Sequence, residues 1–439
     1  AGPAPRMGVS DVFRLLKPPH PEPPPVAELL FGPVAGTTAL VVVAVTLLLL
    51  ASHLRDSLRR ENAQSVASLR QENAERIATS PAAPAAVPIP KTPYKICIVG
   101  SGNWGSAIAR VVGLNAAVLP ILDETVNMWV YEEQIKGEKL TEIINTTHVN
   151  VKYLPNTRLP PNVVAVPELS KAAEGATLLV FVLPHQFLSR LCPQIMPVVA
   201  PGCRAISLIK GVEFEAGAPR LISSIISSHL GGMDVAVLMG ANFANEVAQD
   251  EFCEATIGCA DAATGQTWQE CFHRPSFNVS IVRDVAGVEL CGALKNVVAL
   301  GAGFCDGVGF GANTKAAIVR LGLREMHQFS ALFFAGVDAE TFFESCGMAD
   351  LITTCYGGRN RKCAEAFARL GRGAQWEAVE AELLNSQKLQ GTLTCQDVHA
   401  CLVAKGPDAQ ARFPLLEAIY AISFEERDPA TIVQLTGDR

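Results

Sequence analysis

The chain has few aromatic residues, no cysteine pair at C-x-x-C spacing, no excess of basic side chains and no large internal repeat in its main body. Each absence excludes something. With only 6% Phe, Trp and Tyr, the interior is left to Ala, Gly, Val and Leu, the composition of an α/β enzyme. The thirteen cysteines run scattered through apolar surroundings from Cys97 to Cys401. They form no compact framework, which argues against structural zinc and a disulfide-stapled domain and for a reducing compartment. The net charge is -7, and residues 1–93 carry nine Lys/Arg against seven Asp/Glu, so the remainder holds all of the acidic excess. A body that repels phosphate backbones is no nucleic-acid binder, and any anion it takes must be met by local cations.

At 439 residues the chain is long enough for two or three domains, since single cores stop growing near about 250–300 residues. Residues 1–93 read as an N-terminal extension. Its first 25 residues are Pro-rich, and Leu29 to Ser52 contains no charged side chain. That length matches the roughly 20 residues that span a bilayer as a helix, although Gly32, Pro33 and Gly36 interrupt its first half. A transmembrane anchor is one reading and a late signal peptide is its rival. If the segment spans, Arg55, Arg59 and Arg60 outweigh Arg14 and Lys17 and place the C-terminal bulk in the cytosol. His53 to Thr79 is a helical stalk in which SLR-x-EN recurs eleven residues apart, and SPAAPAAVPIPKTP is a stiff linker.

The body begins near Tyr94 with KICIVGSGNWGSAIARVV. Apolar Ile96 to Val99 runs into Gly100-Ser-Gly-Asn-Trp-Gly105, and a helix-compatible stretch follows. In a strand–turn–helix unit of this kind Gly100 makes the tight turn, Gly102 lets the backbone approach a pyrophosphate and Gly105 packs helix on strand. Val126 to Tyr131 reads as a second strand ending in Glu132-Glu133, where an acidic side chain accepts ribose hydroxyls and favours NAD over NADP. The alternative is that the two glutamates merely open a solvated helix. Further strands fall at Val163–Val166, Thr177–Val182, Arg204–Leu208 and Val235–Leu238, spaced as parallel strands should be. After about Asp284 the periodicity becomes helical. The expected fold is therefore α/β, an N-terminal Rossmann dinucleotide-binding domain over 94–283 followed by an all-α domain over 284–439.

Polar clusters sit where these elements end. His185 and Phe187, in LPHQF, follow a buried strand, and His185 is either a base or, more simply, a loop-fixing histidine. Lys210 closes SLIKG at the same sheet edge, and Gly240 to Asn242 ends another strand. Lys295 and Asn296 lie in GALKNVVALGAG, a helix of small residues otherwise fit for burial. A buried ammonium is costly unless paired or functional, and its lowered pKa suits proton exchange near neutrality. The alternative is an ordinary salt bridge. In ADLITTCYGGRNR, Asp350 is a candidate partner for Lys295, and the planar fork of Arg359 suits a phosphate.

KICIVGSGNWGSAIA, MWVYEE, LTEIINTTHVNVKYLP, PHQF, ISLIKGVE, VLMGAN, CGALKNVVALGAGFCDG, ADLITTCYGGRNRK and AELLNSQKLQG together resemble the cytosolic NAD-dependent glycerol-3-phosphate dehydrogenases of animals, from about Tyr94 to about Phe424. The resemblance implies interconversion of dihydroxyacetone phosphate and sn-glycerol 3-phosphate, with NAD as cofactor, by a cytoplasmic homodimer. That reaction links glycolysis to glycerolipid metabolism and cytosolic redox balance. It also implies roles for particular residues. Gly100, Ser101, Gly102, Asn103, Trp104 and Gly105 would hold the pyrophosphate, with Tyr131, Phe187 and Ala244 lining the NAD site. Lys295 would be the general acid, Lys210 would contact substrate, and Asn296, Asp350 and Thr354 would surround the reacting carbonyl. Arg359 and Asn360 would bind the substrate phosphate, Arg359 also lying near NAD. Lys388 and Gln390 would stand on a loop closing over the cofactor. The chain departs from the family at Tyr131, where Phe is common, at Ala312, where Asp is usual, in its C-terminal tail and in its extension. A related hydroxyacid dehydrogenase and a tethered, weakly active NAD sensor are the alternatives.

Overall fold

The structure is a computed structural model that describes residues 92–384 and 388–434. The anchor, stalk and linker expected within residues 1–91 lie outside the described residues. The α/β part is an eight-stranded sheet of β1 (Tyr94–Val99), β2 (Leu122–Trp129), β3 (Val163–Val166), β4 (Leu178–Phe181), β5 (Arg204–Ser207), β6 (Val235–Met239), β7 (Cys253–Gly258) and β8 (Phe277–Val282), in the order β8-β7-β6-β5-β4-β1-β2-β3. All joins are parallel except β6 with β7. Alternation within β1 builds both faces at once. Ile96 and Ile98 enter one core, while Cys97 and Val99 enter the core on the other side.

The chain runs outward from β1 through β2 to β3 and then returns to place β4 on the far side of β1. That reversal opens a crevice at the C-terminal edge of the sheet between β1 and β4, where open α/β sheets bind ligands. Two strands escaped the sequence reading. In β7, CEATIG carries Glu254 and Thr256. In β8, Asn278 lies exposed between buried Phe277 and Val279, so its apolar signal is half the usual length.

The helices that shape the site are α1 (Asn103–Ala116), α2 (Leu140–Thr147), α3 (Ile222–His229), α4 (Val285–Val308), α5 (Ala312–Phe333), α6 (Asp350–Gly357), α7 (Arg359–Leu370), α8 (Gln390–Lys405) and α9 (Pro414–Phe424). Asp284 caps α4 by accepting from Gly287 N at 2.7 Å, and Gly309, at φ 86°, ends it. Helix α4 is long and apolar enough to cross a membrane, but its residues from Gly287 to Cys305 are buried as the axis of the helical part. It approaches α7 closely because Gly303 has no side chain; a Cβ there would lie 2.3 Å from the Arg361 carbonyl oxygen. Glu289, on the first turns of α4, is fully buried and accepts from the Ile222 N–H and from Ser223 Oγ at 2.6 Å, capping α3 of the α/β part. Burial pushes its carboxyl up to about 7.

Candidate active site

The glycine-rich turn has the geometry its sequence requires. Gly100 sits at φ 126°, and a Cβ there would come within 2.5 Å of the Val182 carbonyl oxygen. A Cβ on Gly105 would lie 2.4 Å from the Gly100 oxygen, whereas one on Gly102 would meet nothing within 4 Å. The loop is therefore closed on its strand side and open over Gly102. The first α1 amide to find a carbonyl is that of Ser106, 2.9 Å from Gly102 O, which leaves the earlier N–H groups without a partner among the described residues. The side chains of Asn103 and Trp104 face the protein. Asn103 Nδ2 donates to Tyr153 O at 2.7 Å, and Trp104 packs with Ala107, Leu154, Ala244 and Ala248. What these two residues offer an anion is backbone N–H, and half-buried Ala244 packs beside Trp104.

A cleft of about 550 Å³ opens over this loop, lined by Gly100 to Gly102, Tyr131, Glu133 and Phe187 among others. Tyr131 and Phe187 are 66% and 40% exposed, two aromatic side chains at the cleft, the second with the Arg190 guanidinium 5.7 Å from its ring centroid. Unpartnered amides at one end, aromatic side chains alongside and a carboxylate at the tip of β2 fit a dinucleotide. Tyr131, the departure noted above, is an exposed side chain lining the cleft. The other departure, Ala312, opens α5 with no side-chain cap.

The acidic tip of β2 differs from expectation. Glu132 and Glu133 begin no helix; the chain turns into a hairpin of Gln134–Ile135 and Glu138–Lys139. The Glu132 carboxylate accepts from Thr141 Oγ1 at 2.6 Å and Thr141 N at 3.2 Å, which commits it to the start of α2 and withdraws it from ribose binding. Glu133 alone lines the cleft. It is held by Lys152 and by the Tyr153 hydroxyl at 2.8 Å, and these hydrogen bonds keep its carboxyl below the usual range.

At the C-terminal ends of β5 and β6 lies a charged, largely buried centre. Lys210 Nζ donates to Gly240 O at 2.8 Å and to Asp350 Oδ2 at 2.9 Å, while Lys295 Nζ lies 2.5 Å from Asp350 Oδ1. Lys295 comes from α4, Asp350 opens α6 and Lys210 follows β5, so one carboxylate joins three segments distant in sequence. Lys295 is 5% exposed and Asp350 2%. Burial, reinforced by the charge of Lys210, pulls the Lys295 ammonium down to about 7 against the opposing pull of Asp350. Two ammonium groups on one carboxylate leave a net positive charge for an incoming oxyanion.

One turn along α6 from Asp350, Thr354 Oγ1 donates to Asp350 O at 2.6 Å. Gly358 then leads tightly into α7, whose first residue is Arg359; a Cβ on Gly358 would lie 2.5 Å from Thr354 O. The Arg359 side chain is exposed at the amide end of this helix, and buried Asn360 donates to Asn296 Oδ1 at 2.8 Å while accepting from Gly391 N at 2.9 Å. A guanidinium beside free helix amides suits a phosphate. Lys388 is not brought to the cleft. It pairs with Glu380 at 3.0 Å, and Gln390 reaches Thr394 at 3.3 Å. His185 lies in a 3₁₀ turn where its carbonyl accepts from the Leu188 N–H, and its ring makes no hydrogen bond among the described residues.

Sequence reasoning passed over Asn150. It is fully buried, and its Nδ2 donates to Ser101 O and Ser106 Oγ, both at 2.9 Å. The only local signal was an amide side chain amid Val149, Val151 and Leu154, too weak to read without the fold.

A dinucleotide cradle at the switch point of a parallel sheet, with a buried lysine–aspartate centre farther along the same edge, defines a two-part dehydrogenase. The comparisons make the class specific. Residues 95–265 match the family model for the N-terminus of NAD-dependent glycerol-3-phosphate dehydrogenase, and residues 284–434 match that for its C-terminus. The cytoplasmic NAD(+) glycerol-3-phosphate dehydrogenase of Pongo abelii is 58% identical over 332 residues, covering 75% of this chain and 94% of that protein. The Homo sapiens protein of the same name is 57% identical over the same length and shares. The solved glycerol-3-phosphate dehydrogenase of Saccharomyces cerevisiae superposes with a TM-score of 0.75 at 45% identity, over 79% of this chain and 100% of that one. The chain belongs to the NAD-dependent glycerol-3-phosphate dehydrogenase family.

Proposed function

We infer that the protein interconverts dihydroxyacetone phosphate and sn-glycerol 3-phosphate with NAD as cofactor. The observation that carries this reading is the buried Lys210–Asp350–Lys295 centre on the sheet edge that also bears the open glycine loop. The amides after Gly100 would hold the pyrophosphate, with Tyr131 and Phe187 against the rings and Glu133 at the ribose. Bound NADH supplies the hydride. In the reductive direction the Lys295 ammonium donates its proton to the carbonyl oxygen, and its lowered pKa lets it exchange that proton near neutrality. Asp350 holds Lys295 and Lys210 in place, and Lys210 contacts the substrate. Asn296 and Thr354 border the carbonyl. Arg359 and Asn360, at the amide end of α7, bind the phosphate and so fix the carbonyl in register. Lys388 and Gln390 belong to this reading only as residues that reach the cofactor once the Lys388–Glu380 pair parts.

The relatives are named cytoplasmic, which supports a cytoplasmic catalytic part here. The homodimer of this reading rests on the family resemblance alone, and the mass of the full chain in solution tests it: a monomer would refute it. The tether through residues 29–52 rests on its uncharged sequence and on the arginines that follow; retention of the full chain in the membrane fraction after carbonate extraction tests it. The activity is tested by following NADH oxidation with the full chain. Oxidation should require dihydroxyacetone phosphate and be far slower with unphosphorylated dihydroxyacetone. Equal rates with the two ketones would refute the phosphate-binding role of Arg359 and Asn360, and no turnover with either would refute the function.

A further inference from the structure

We propose that Asn150 is a positioning residue that aims the Gly102 amide at the cofactor's pyrophosphate; the inference rests on the dinucleotide reading of the cleft. The Ser101 carbonyl receives two hydrogen bonds from the protein interior, one from Asn150 Nδ2 at 2.9 Å and one from Ser106 Oγ at 3.1 Å. Asn150 also donates to that serine hydroxyl at 2.9 Å, and both side chains are fully buried, so the carbonyl oxygen is clamped from two sides. In a trans peptide the C=O and the following N–H point in opposite directions. Pinning Ser101 O toward the core therefore turns Gly102 N–H outward to the cleft, the side on which a Cβ would meet nothing within 4 Å. That amide has no partner among the described residues.

The clamp is needed because of Gly102. Without a Cβ on that residue, one side of the Ser101–Gly102 peptide offers little steric resistance to rotation. Turned over, it would present a carbonyl to a phosphate. Asn150 suits the task as a neutral donor, since a cation there would add a buried charge with no counterion. Its Oδ1 accepts from Tyr153 N at 3.2 Å, which ties the clamp to the residue that holds Glu133 at the other end of the cleft.

The test compares ligands with and without a pyrophosphate on the full chain. ADP-ribose and adenosine are titrated against the unmutated protein, Asn150→Ala and Ser106→Ala. Both variants are expected to bind ADP-ribose about tenfold more weakly, the factor for one mis-aimed charge-assisted hydrogen bond. Adenosine affinity is expected to stay within about twofold, because Tyr153 keeps its bonds to Glu133 and Asn103. In turnover, KM for NADH should rise by the same factor, while kcat and KM for the ketone stay within about twofold. Equal weakening of both ligands, or unchanged ADP-ribose affinity in folded variants, overturns the proposal. If Asn150→Ala does not fold, Ser106→Ala decides on the same readings. Failure of the unmutated protein to bind ADP-ribose would instead overturn the cofactor reading itself.

Discussion

The two halves of the candidate site, the glycine loop and the lysine–aspartate centre, are built on opposite principles. The glycine loop is made of backbone from six consecutive residues and carries no charge, so its geometry is set by what its residues lack. The lysine–aspartate centre is made of side chains from three distant segments, and each of its charges is tolerable only because the others are there. The first half should therefore resist most side-chain changes and fail where a Cβ is added at Gly100 or Gly105. The second should fail with any single truncation and should respond to pH.

The largest expected effect is on the charged half. Lys295→Ala should lower kcat for ketone reduction about a thousandfold, within the range that general acid catalysis supplies, and leave NADH affinity unchanged by calorimetric titration. A loss below tenfold would mean that the proton comes from elsewhere. Gly100→Ala should do the reverse. The strained φ and the 2.5 Å contact with Val182 O should weaken NADH binding by about tenfold to a hundredfold; unaltered affinity would show that the loop has room the structure does not indicate.

Asp350→Asn sharpens the contrast through pH. The depressed Lys295 pKa, about 7, means that kcat/KM for reduction should be level below that pH and fall above it as the donor proton is lost. Asp350 pulls that pKa upward, so its removal should move the falling limb to lower pH and cut activity at pH 7 about tenfold. A limb that stays in place would separate Asp350 from the titration. The smallest effect concerns Glu132. Its carboxylate serves Thr141, so Glu132→Ala should cost about 1 kcal/mol of stability in a denaturant titration. The ratio of NADH to NADPH affinity should hold within about twofold; a marked rise in NADPH binding would return Glu132 to the ribose.

How far the site could be read in advance follows the same division. Gly100 and Gly105 were legible because the constraint on each is local, a strand before and a helix after. Glu132 and Glu133 were legible as a pair but not as individuals, since which of two adjacent carboxylates faces the cleft depends on the hairpin that follows. Lys295 stood out as a charge in an apolar helix, and Asp350 was a reasonable partner. Its simultaneous hold on Lys210, 140 residues away, left no trace in any one stretch. Asn150 looked like any loop asparagine, because its meaning lies in the peptide it clamps.

By itself the sequence determined the dinucleotide turn, the alternation of strand and helix and the later turn to helices. These depend on neighbours a few residues away, and local sterics and periodicity suffice for them. The tertiary structure decided which carboxylate lines the cleft, that one aspartate serves two lysines, and how far burial lowers the pKa of Lys295. Those are properties of charges brought together and removed from water, and the chain acquires them only when β5, α4 and α6 meet.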